Sequence, residues 1–318
     1  MTKKAVVSQL HPHAKYERLV AAAKRQPALA TAIAHPCDET SLRGALEAAQ
    51  AGMIIPILVG PKEKIVSLAK SLDLDVRGIE IIDVPHSQAA ADKAVELVRL
   101  GRAELLMKGS LHSDELLGAV TKRDIGLRTG RRISHVFVMD VPTHPQTLFI
   151  TDAAVNIAPD LQAKRDIIQN AIDLFAALGL GTPKVAILSA VETVTPSIPS
   201  TIEAAALCKM ADRGQITGGI LDGPLAFDTA VSEKAASIKN LVSPVTGQAD
   251  ILVVPDLESG NMLAKQLEYL GGAQMAGVVL GARVPTILTS RADSAETRLT
   301  SCAVAVLWHY ATLPAIKV

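Results

Sequence analysis

Short apolar runs alternate with longer helical patterns along most of this 318-residue chain. Nine runs have the composition of β-strands, at residues 54–60, 79–84, 103–109, 135–140, 148–152, 184–190, 218–223, 249–256 and 285–291. Several are continuously apolar, which is typical of strands covered on both faces of a sheet. Between them lie helical patterns, several of which end in glycine: SLRGALEAAQAG, AADKAVELVRLG, LQAKRDIIQNAIDLFAALG and SGNMLAKQLEYLGG. This alternation predicts βαβ units, a mainly parallel sheet and an α/β fold.

The length of the chain exceeds what one hydrophobic core comfortably fills, so two domains are expected. The clearest boundary is DVPTHPQTL, residues 140–148, where two prolines and polar residues separate two apolar runs. We place the division near residue 144. A cleft between the two halves is then the expected ligand site.

The composition excludes several classes of protein. Lys+Arg 32 balance Asp+Glu 32, and aromatic residues make up only 3%, so a nucleic-acid-binding surface is not indicated. No apolar stretch has the roughly 18 residues that a membrane-spanning helix needs, and the N-terminal segment lacks the apolar core of a signal peptide. These features predict a soluble, cytoplasmic protein without a membrane partner.

Metal sites and disulfides are not indicated either. Cys37, Cys208 and Cys302 are far apart and show no CxxC spacing, so each is expected to be a small buried hydrophobic residue. His11 and His13 form an HxH pair in a polar N-terminal segment, which favours an incidental pair over a metal site.

Common nucleotide and hydrolase motifs are missing from the chain. There is no GxxxxGK[ST] and no GxGxxG between a strand and a helix, which disfavours a P-loop NTPase and an ordinary Rossmann dehydrogenase. Neither GxSxG nor HExxH occurs. The functional residues are therefore sought where polar side chains follow apolar strands.

The last of these turns lies in VPTILTSRADSAETRL, where an apolar run ends at Ser290-Arg291 before a helix begins. Ligands gather at the carboxyl ends of strands in open α/β sheets, and a helix N-terminus adds exposed N–H groups. The guanidinium of Arg291 suits a phosphate or a carboxylate. This segment predicts a small-anion or phosphate-ester chemistry.

Polar residues at four other turns are candidate substrate-binding residues. Each has a structural alternative: helix capping near residues 113 and 259–261, a solvated basic loop at 126–135, and a plain turn at 222–224. The candidates are Lys108, Gly109, Ser110, Arg128, Arg131, Arg132, Asp222, Gly223 and Asn261.

The segments MKGSLHSDELL, GLRTGRRISHVFVMD, LFITDAAVNIAPDL, PKVAILSAVE, LDGPLAFDTAVS, VPDLESGNMLAKQLEYL and LTSRADS, in this order, closely resemble the phosphate acetyl/butyryltransferase family. The resemblance implies the reaction acyl-CoA + phosphate = acyl phosphate + CoA, with no metal or organic cofactor and CoA as a substrate. It also implies a homodimer and two doubly wound α/β domains of the isocitrate-dehydrogenase-like kind, with an interdomain cleft. With the last helix returning to the first domain, the expected domains are residues 1–144 plus 286–318, and 145–285.

The resemblance places the family's serine-arginine pair at Ser290 and Arg291. In the acetyltransferase branch a catalytic aspartate lies seven residues after that serine, and here the position is Thr297. The nearest carboxylates are Asp293 and Glu296, of which we take Asp293 as the third catalytic candidate. The alternative is that Asp293 only caps the following helix, with Glu296 reaching back in a capping box.

Two other functions are compatible with the sequence. The missing aspartate suggests a catalytically silent acyl-CoA-binding or regulatory protein. An NAD-dependent dehydrogenase on a related two-domain fold is the second alternative, although its metal-binding carboxylates and nucleotide loop are not found.

Overall fold

The computed structural model describes residues 14–290 and 293–313, and this part of the chain forms an α/β fold. The helices are Ala14–Ala23 (α1), Glu39–Gln50 (α2), Lys62–Ser71 (α3), Ser87–Arg99 (α4), Ser113–Thr121 (α5), Leu161–Ala177 (α6), Pro199–Asp212 (α7), Phe227–Val231 (α8), Glu233–Ile238 (α9), Leu257–Tyr269 (α10) and Ala295–Thr312 (α11). The strands are Leu29–Ala34 (β1), Ile54–Gly60 (β2), Glu80–Asp83 (β3), Leu105–Lys108 (β4), Ser134–Asp140 (β5), Leu148–Thr151 (β6), Lys184–Leu188 (β7), Ile220–Leu225 (β8), Ile251–Val253 (β9), Gln274–Leu280 (β10) and Thr286–Ile287 (β11).

The strands form one sheet in the order β3-β2-β1-β4-β11-β10-β5-β6-β9-β7-β8. At one end of the sheet the neighbours β3, β2, β1, β4 and β11 pair in parallel, and at the other end so do β6, β9, β7 and β8. The centre is antiparallel, because β10 pairs with both β11 and β5, and β5 pairs with β6 across the loop 141–147. The mainly parallel α/β sheet predicted from the sequence is confirmed, and the antiparallel centre is an addition to that prediction.

Every one of the nine predicted strands overlaps an observed strand, and the four helical patterns named from the sequence correspond to α2, α4, α6 and α10. Gly101 and Gly179 follow α4 and α6 with φ of 69° and 71°, as expected for glycines after a helix C-terminus. Two strands were not predicted, β1 and β10. The first is rich in alanine and the second is interrupted by Gly277, and both residue types are depleted in strands.

Two strand ends differ from the sequence prediction. The strand expected to break at Asp222-Gly223 continues through both residues as β8, which is possible because β8 lies at the edge of the sheet and tolerates Pro224 there. The strand expected over 285–291 is regular only at Thr286–Ile287. The chain leaves the sheet after Ile287, so Ser290 lies on the segment that follows β11 and not on the strand itself.

Helix α11 packs against α1, α2 and α6 and against β10 and β11, so the end of the described chain returns to its beginning. The sheet runs without a break through both predicted domains, and β10 lies between β11 and β5. The division at residue 144 stays a prediction. Within residues 14–290 and 293–313, no helix has the length and apolar character needed to cross a membrane.

Candidate functional site

A cavity of about 400 Å³ lies over one face of the sheet, between the N-terminal ends of α5 and α10. Residues far apart in the chain line it: Lys108, Leu111, His112, Ser113, Phe137, Ala154, Leu257, Asn261, Lys265, Met275, Leu288, Thr289, Ser290 and Asp293. Four sequence candidates meet here, namely Lys108, Asn261, Ser290 and Asp293. The site is therefore assembled by the topology of the sheet rather than by one contiguous segment.

Parallel pairing of β11 with β4 brings Lys108 and Ser290 together. Ile287 lies beside Met107, so the residues that follow each strand emerge at the same edge of the sheet. Lys108 is only 3% exposed, and its Nζ donates a hydrogen bond of 3.3 Å to the carbonyl of Thr289. A buried ammonium held at the wall of a cavity is well placed to attract an anion.

Asp293 is turned back toward the end of the preceding strand. Its Oδ2 accepts a hydrogen bond of 2.6 Å from the backbone N–H of Ser290, and the residue is 5% exposed. The alternative that Asp293 caps α11 is wrong, because Ser294 is the N-cap and its Oγ accepts from the N–H of Thr297 at 3.1 Å. Because the N-cap is Ser294 and not Asp293, the Asp293 carboxylate does not cap the helix and lines the cavity instead.

Burial is the largest influence on the Asp293 carboxyl and raises its pKa above the ordinary range. The Ser290 N–H and the positive charges of Arg298, Lys108 and Lys265 act in the opposite direction. The carboxylate is thus poorly solvated yet surrounded by cations. Such a group is suited to exchange a proton with a reactant.

Arg298 was not singled out from the sequence, although it is the residue beneath this turn. Its guanidinium donates to Thr289 Oγ1 at 2.7 Å and to the Ser290 carbonyl at 2.9 Å. The side chain is 1% exposed and does not line the cavity. The available signal was that Arg298 is the one Lys or Arg residue of helix α11, among residues that are mostly uncharged. An arginine is rarely buried without a partner.

The floor of the cavity is apolar and comes from the antiparallel centre of the sheet. Phe137 on β5 lies directly opposite Gly277 on β10, and Met275 is two residues from Gly277 on the same face. Leu288 completes this floor. Asn261 and Lys265, one helical turn apart on α10, form a polar wall above it. Asn261 is not a cap, because Asp256 caps α10, as its side chain accepts from the Ser259 N–H at 2.8 Å.

Gly109 and Ser110 do not line the cavity. An added Cβ at Gly109 would lie 2.4 Å from the carbonyl oxygens of Ala34 and His35, so glycine is required for the close approach of this turn to β1. Ser110 Oγ donates to the His35 carbonyl at 2.9 Å and lies 2.9 Å from His35 Nδ1. Both residues hold the end of β4 against the end of β1. Their role in substrate binding stays a prediction.

The three candidate arginines are exposed and lie in an adjacent groove of about 430 Å³, lined also by Thr121, Ile133, Val155 and Asn156. Arg131 forms an ion pair with Asp173, and Arg132 Nε donates to Asn156 Oδ1 at 2.6 Å. Arg128 forms no side-chain hydrogen bond or ion pair with any residue in the described part of the chain. Consecutive residues line the two hollows, Ala154 the cavity and Val155 the groove.

Asp222 and Gly223 lie on the edge strand β8 and do not line either hollow. An added Cβ at Gly223 would be 2.7 Å from Ile187 Cβ, so this glycine permits close packing of β8 on β7. The Asp222 carboxylate accepts from the Gly223 N–H. These contacts explain both residues structurally.

Some sequence predictions fall outside the described residues, namely those for Arg291, His11 and His13. Thr297 is buried at the start of α11, where its hydroxyl accepts from Ser294 Oγ at 3.2 Å. Among the residues described, no three His, Cys, Asp or Glu side chains are grouped closely enough to hold a metal ion.

Comparisons with known proteins identify the family of this chain. Residues 87–306 match the family model described as Phosphate acetyl/butaryl transferase. A phosphate acetyltransferase of Rhizobium meliloti is 68% identical over 294 residues, which cover 92% of this chain and 93% of that protein. A phosphate butyryltransferase of Clostridium acetobutylicum is 41% identical over 292 residues, 92% and 97% of the two chains.

A solved structure gives the same result at the level of the fold. The branched-chain phosphotransacylase of Enterococcus faecalis V583 superposes with a TM-score of 0.77 at 32% identity, covering 89% of this chain and 99% of that one. The family resemblance seen in the sequence is thus confirmed. The chain belongs to the phosphate acetyl/butyryl transferase family, a family of acyltransferases.

Proposed function

We propose that this acyltransferase moves a short acyl group, acetyl or butyryl, between CoA and inorganic phosphate: acyl-CoA + phosphate = acyl phosphate + CoA. The observation that carries the proposal is the cavity itself. It combines the buried ammonium of Lys108, the exposed ammonium of Lys265, the hydroxyl of Ser290 and the poorly solvated carboxylate of Asp293 above an apolar floor. Family membership favours this reaction over a silent acyl-CoA-binding protein and over an NAD-dependent dehydrogenase.

The cations bind the phosphate group in this proposal. In the direction of acyl-CoA synthesis, the phosphate of an acyl phosphate becomes a leaving group, and its charge must be neutralised. Lys108 and Lys265 line the cavity, and the family resemblance assigns the same task to Arg291. Ser290 donates a hydrogen bond to the oxyanion that develops on the carbonyl.

The carboxylate of Asp293 activates the second reactant. A free thiol has a pKa of about 8.5, so at neutral pH the CoA thiol needs a base to attack the carbonyl. Asp293 lies on the same turn as Ser290 and faces the same cavity. The acyl group passes directly between the two substrates, without an enzyme nucleophile. Holding CoA and the acyl phosphate together in one site supplies much of the rate enhancement, an effect worth roughly 7 to 11 kcal/mol.

The remaining parts of the substrate and the assembly follow from the same proposal. The groove of Arg128, Arg131 and Arg132 has a lining residue, Val155, next in sequence to Ala154 of the cavity, and its guanidinium groups are suited to the phosphates of CoA. We further propose a cytoplasmic homodimer that needs no metal or organic cofactor. The division into domains 1–144 plus 286–318 and 145–285 is supported by the pairing of β11 with β4 and the packing of α11 on α1.

The test is a thiol-release assay with acetyl-, propionyl- and butyryl-CoA, each with and without inorganic phosphate. We expect CoA release only when phosphate is present, accompanied by stoichiometric acyl phosphate and unaffected by EDTA. Thiol release without phosphate, or none with any of the three, would contradict the proposal. Tight CoA binding without turnover would identify the silent protein, and NAD reduction with a 2-hydroxy acid would identify the dehydrogenase.

A further inference from the structure

Arg298 connects the turn that carries Ser290 and Asp293 to the start of helix α2. Its two terminal nitrogens donate to Thr289 Oγ1 at 2.7 Å and to the Ser290 carbonyl at 2.9 Å. The second nitrogen also lies 3.4 Å from Thr40 Oγ1, in the first turn of α2. The guanidinium therefore contacts two consecutive residues of the turn and one residue of a different helix.

A guanidinium that is 1% exposed is costly to bury, because its charge is removed from water. Asp293 and Asp38, which caps α2 through the Ser41 N–H, are the carboxylates that interact with it electrostatically. The bonds to Thr289 and to the Ser290 main chain compensate part of the remaining cost. Since Arg298 does not line the cavity, any effect on the reaction must pass through this turn.

Helix α2 has a glycine where it faces the arginine. An added Cβ at Gly44 would lie 2.6 Å from Arg298 Cδ and 3.2 Å from its Cβ, so any larger residue would displace the side chain. The glycine is buried in the middle of a helix, where glycine is otherwise unfavourable. Gly44 thus provides the space that Arg298 occupies.

We propose that Arg298 is a positioning residue for acyl transfer. Its guanidinium holds residues 289–290 through two hydrogen bonds, so that Ser290 and Asp293 keep their positions in the cavity. The absence of a side chain at Gly44 leaves the space that the arginine occupies. The proposal rests on the proposed function. Displacement of reacting groups by about 1 Å is enough to lower turnover by as much as a hundredfold.

The experiment compares Arg298→Met, Arg298→Lys and Gly44→Ala with the parent protein. Arg298→Met is expected to lower kcat by about ten- to hundredfold, with a KM for phosphate within about threefold of the parent value. Arg298→Lys restores the charge but not the fork, so its kcat should fall between those of Arg298→Met and the parent. Gly44→Ala should lower kcat through displacement of the arginine, and it remains informative if Arg298→Met does not fold.

The matched control for Gly44→Ala is Gly118→Ala. Gly118 also lies inside a helix, α5, but an added Cβ there would meet nothing within 4 Å, so kcat should be unchanged. In the double variant Arg298→Met/Gly44→Ala, the alanine should add less than about a twofold loss, because the guanidinium contacts that it would disturb are already lost.

A folded Arg298→Met with parent-like kcat, or full additivity in the double variant, would overturn the proposal. Hydrogen exchange of residues 288–290, 293 and 294 provides a readout that does not need turnover. Exchange should accelerate in Arg298→Met and Gly44→Ala but not in Gly118→Ala. If the parent protein shows no acyl transfer, the proposed function fails and this exchange measurement still decides the positioning role. Unchanged exchange in both variants would then contradict it.

Discussion

Single residues at this site were predictable where chemistry and position coincide. Lys108, Ser290 and Asn261 are polar residues that follow apolar runs, and all three line the cavity. Asp293 was found by its proximity to Ser290, but its orientation was not, because Asp293 and Ser294 are both good N-caps and only the backbone decides between them. Arg298 was missed because its partners, Thr289 and the Ser290 carbonyl, are polar groups that no spacing rule links to it.

Asp293→Asn separates a base from a structural carboxylate. The amide oxygen can still accept from the Ser290 N–H but cannot take a proton, so kcat should fall by about a hundredfold while the melting temperature changes little. In the parent, a base must be deprotonated to act, so kcat should fall as the pH drops through the pKa of Asp293, which burial raises. That acidic limb should be absent from the variant.

The control for this substitution is Asp250→Asn. Asp250 is also a carboxyl whose pKa is raised by burial, and it accepts a 2.8 Å bond from the Lys184 N–H outside the cavity. Its replacement should leave the pH profile of kcat unchanged. A parent-like profile in Asp293→Asn would move the base to Glu296 or to the phosphate oxygen of the substrate.

At the scale of elements, sequence periodicity identified strands whose composition agrees with their environment and missed those that have unusual residues. β1 is a central strand, yet its alanines have low strand propensity. In β10, Gly277 leaves room for the Leu288 carbonyl, which an added Cβ would approach to 2.5 Å. The need for glycine at this position is set by the neighbouring residue Leu288, so the sequence around Gly277 does not indicate it. The apolar floor of the cavity depends on this strand, so it was also missed.

The floor predicts how acyl-chain length is selected. Phe137→Leu should enlarge the space above β5 and raise the ratio of kcat/KM for butyryl-CoA to that for acetyl-CoA by about fivefold or more, since a methylene in such a pocket is worth roughly 1 to 3 kcal/mol. Phe149→Leu is the matched control. Phe149 is buried beside Phe175, outside the cavity, so its replacement should reduce stability without altering the ratio. Equal ratios in both variants would exclude Phe137 from acyl selection.

At the scale of the whole molecule, the α/β class follows from the alternation of strands and helices, whereas the order of the strands does not. The pairing of β10 with β5 and of β11 with β4 joins residues more than a hundred positions apart, which no local pattern encodes. The same pairings bury His135 completely in the centre of the sheet, where burial lowers its pKa to about 3.

His135 makes the stability of the whole fold depend on pH. In the unfolded chain a histidine takes up a proton near pH 6.5, but in the folded protein it stays neutral until about pH 3, so stability is lost as the pH falls below 6.5. His135→Leu should reduce the loss of unfolding free energy between pH 6.5 and 4.5 by about 2 to 3 kcal/mol. Urea unfolding at the two pH values measures this difference, and an identical loss in the parent and the variant would contradict the assignment.

The place of β11 in the sheet has a consequence for how the protein is made. Strands β3, β2, β1 and β4 meet the remaining strands only through β11, whose residues, Thr286 and Ile287, come near the end of the chain. A ribosome that has added everything up to residue 285 has therefore synthesised ten of the eleven described strands without the one that joins them. That unfinished polypeptide also lacks Ser290, Asp293 and Arg298. A copy cut short before this point still carries Lys108, Asn261 and Lys265, but it lacks both the strand that joins the sheet and the turn that completes the cavity. Completion of the architecture and completion of the site therefore depend on the same segment.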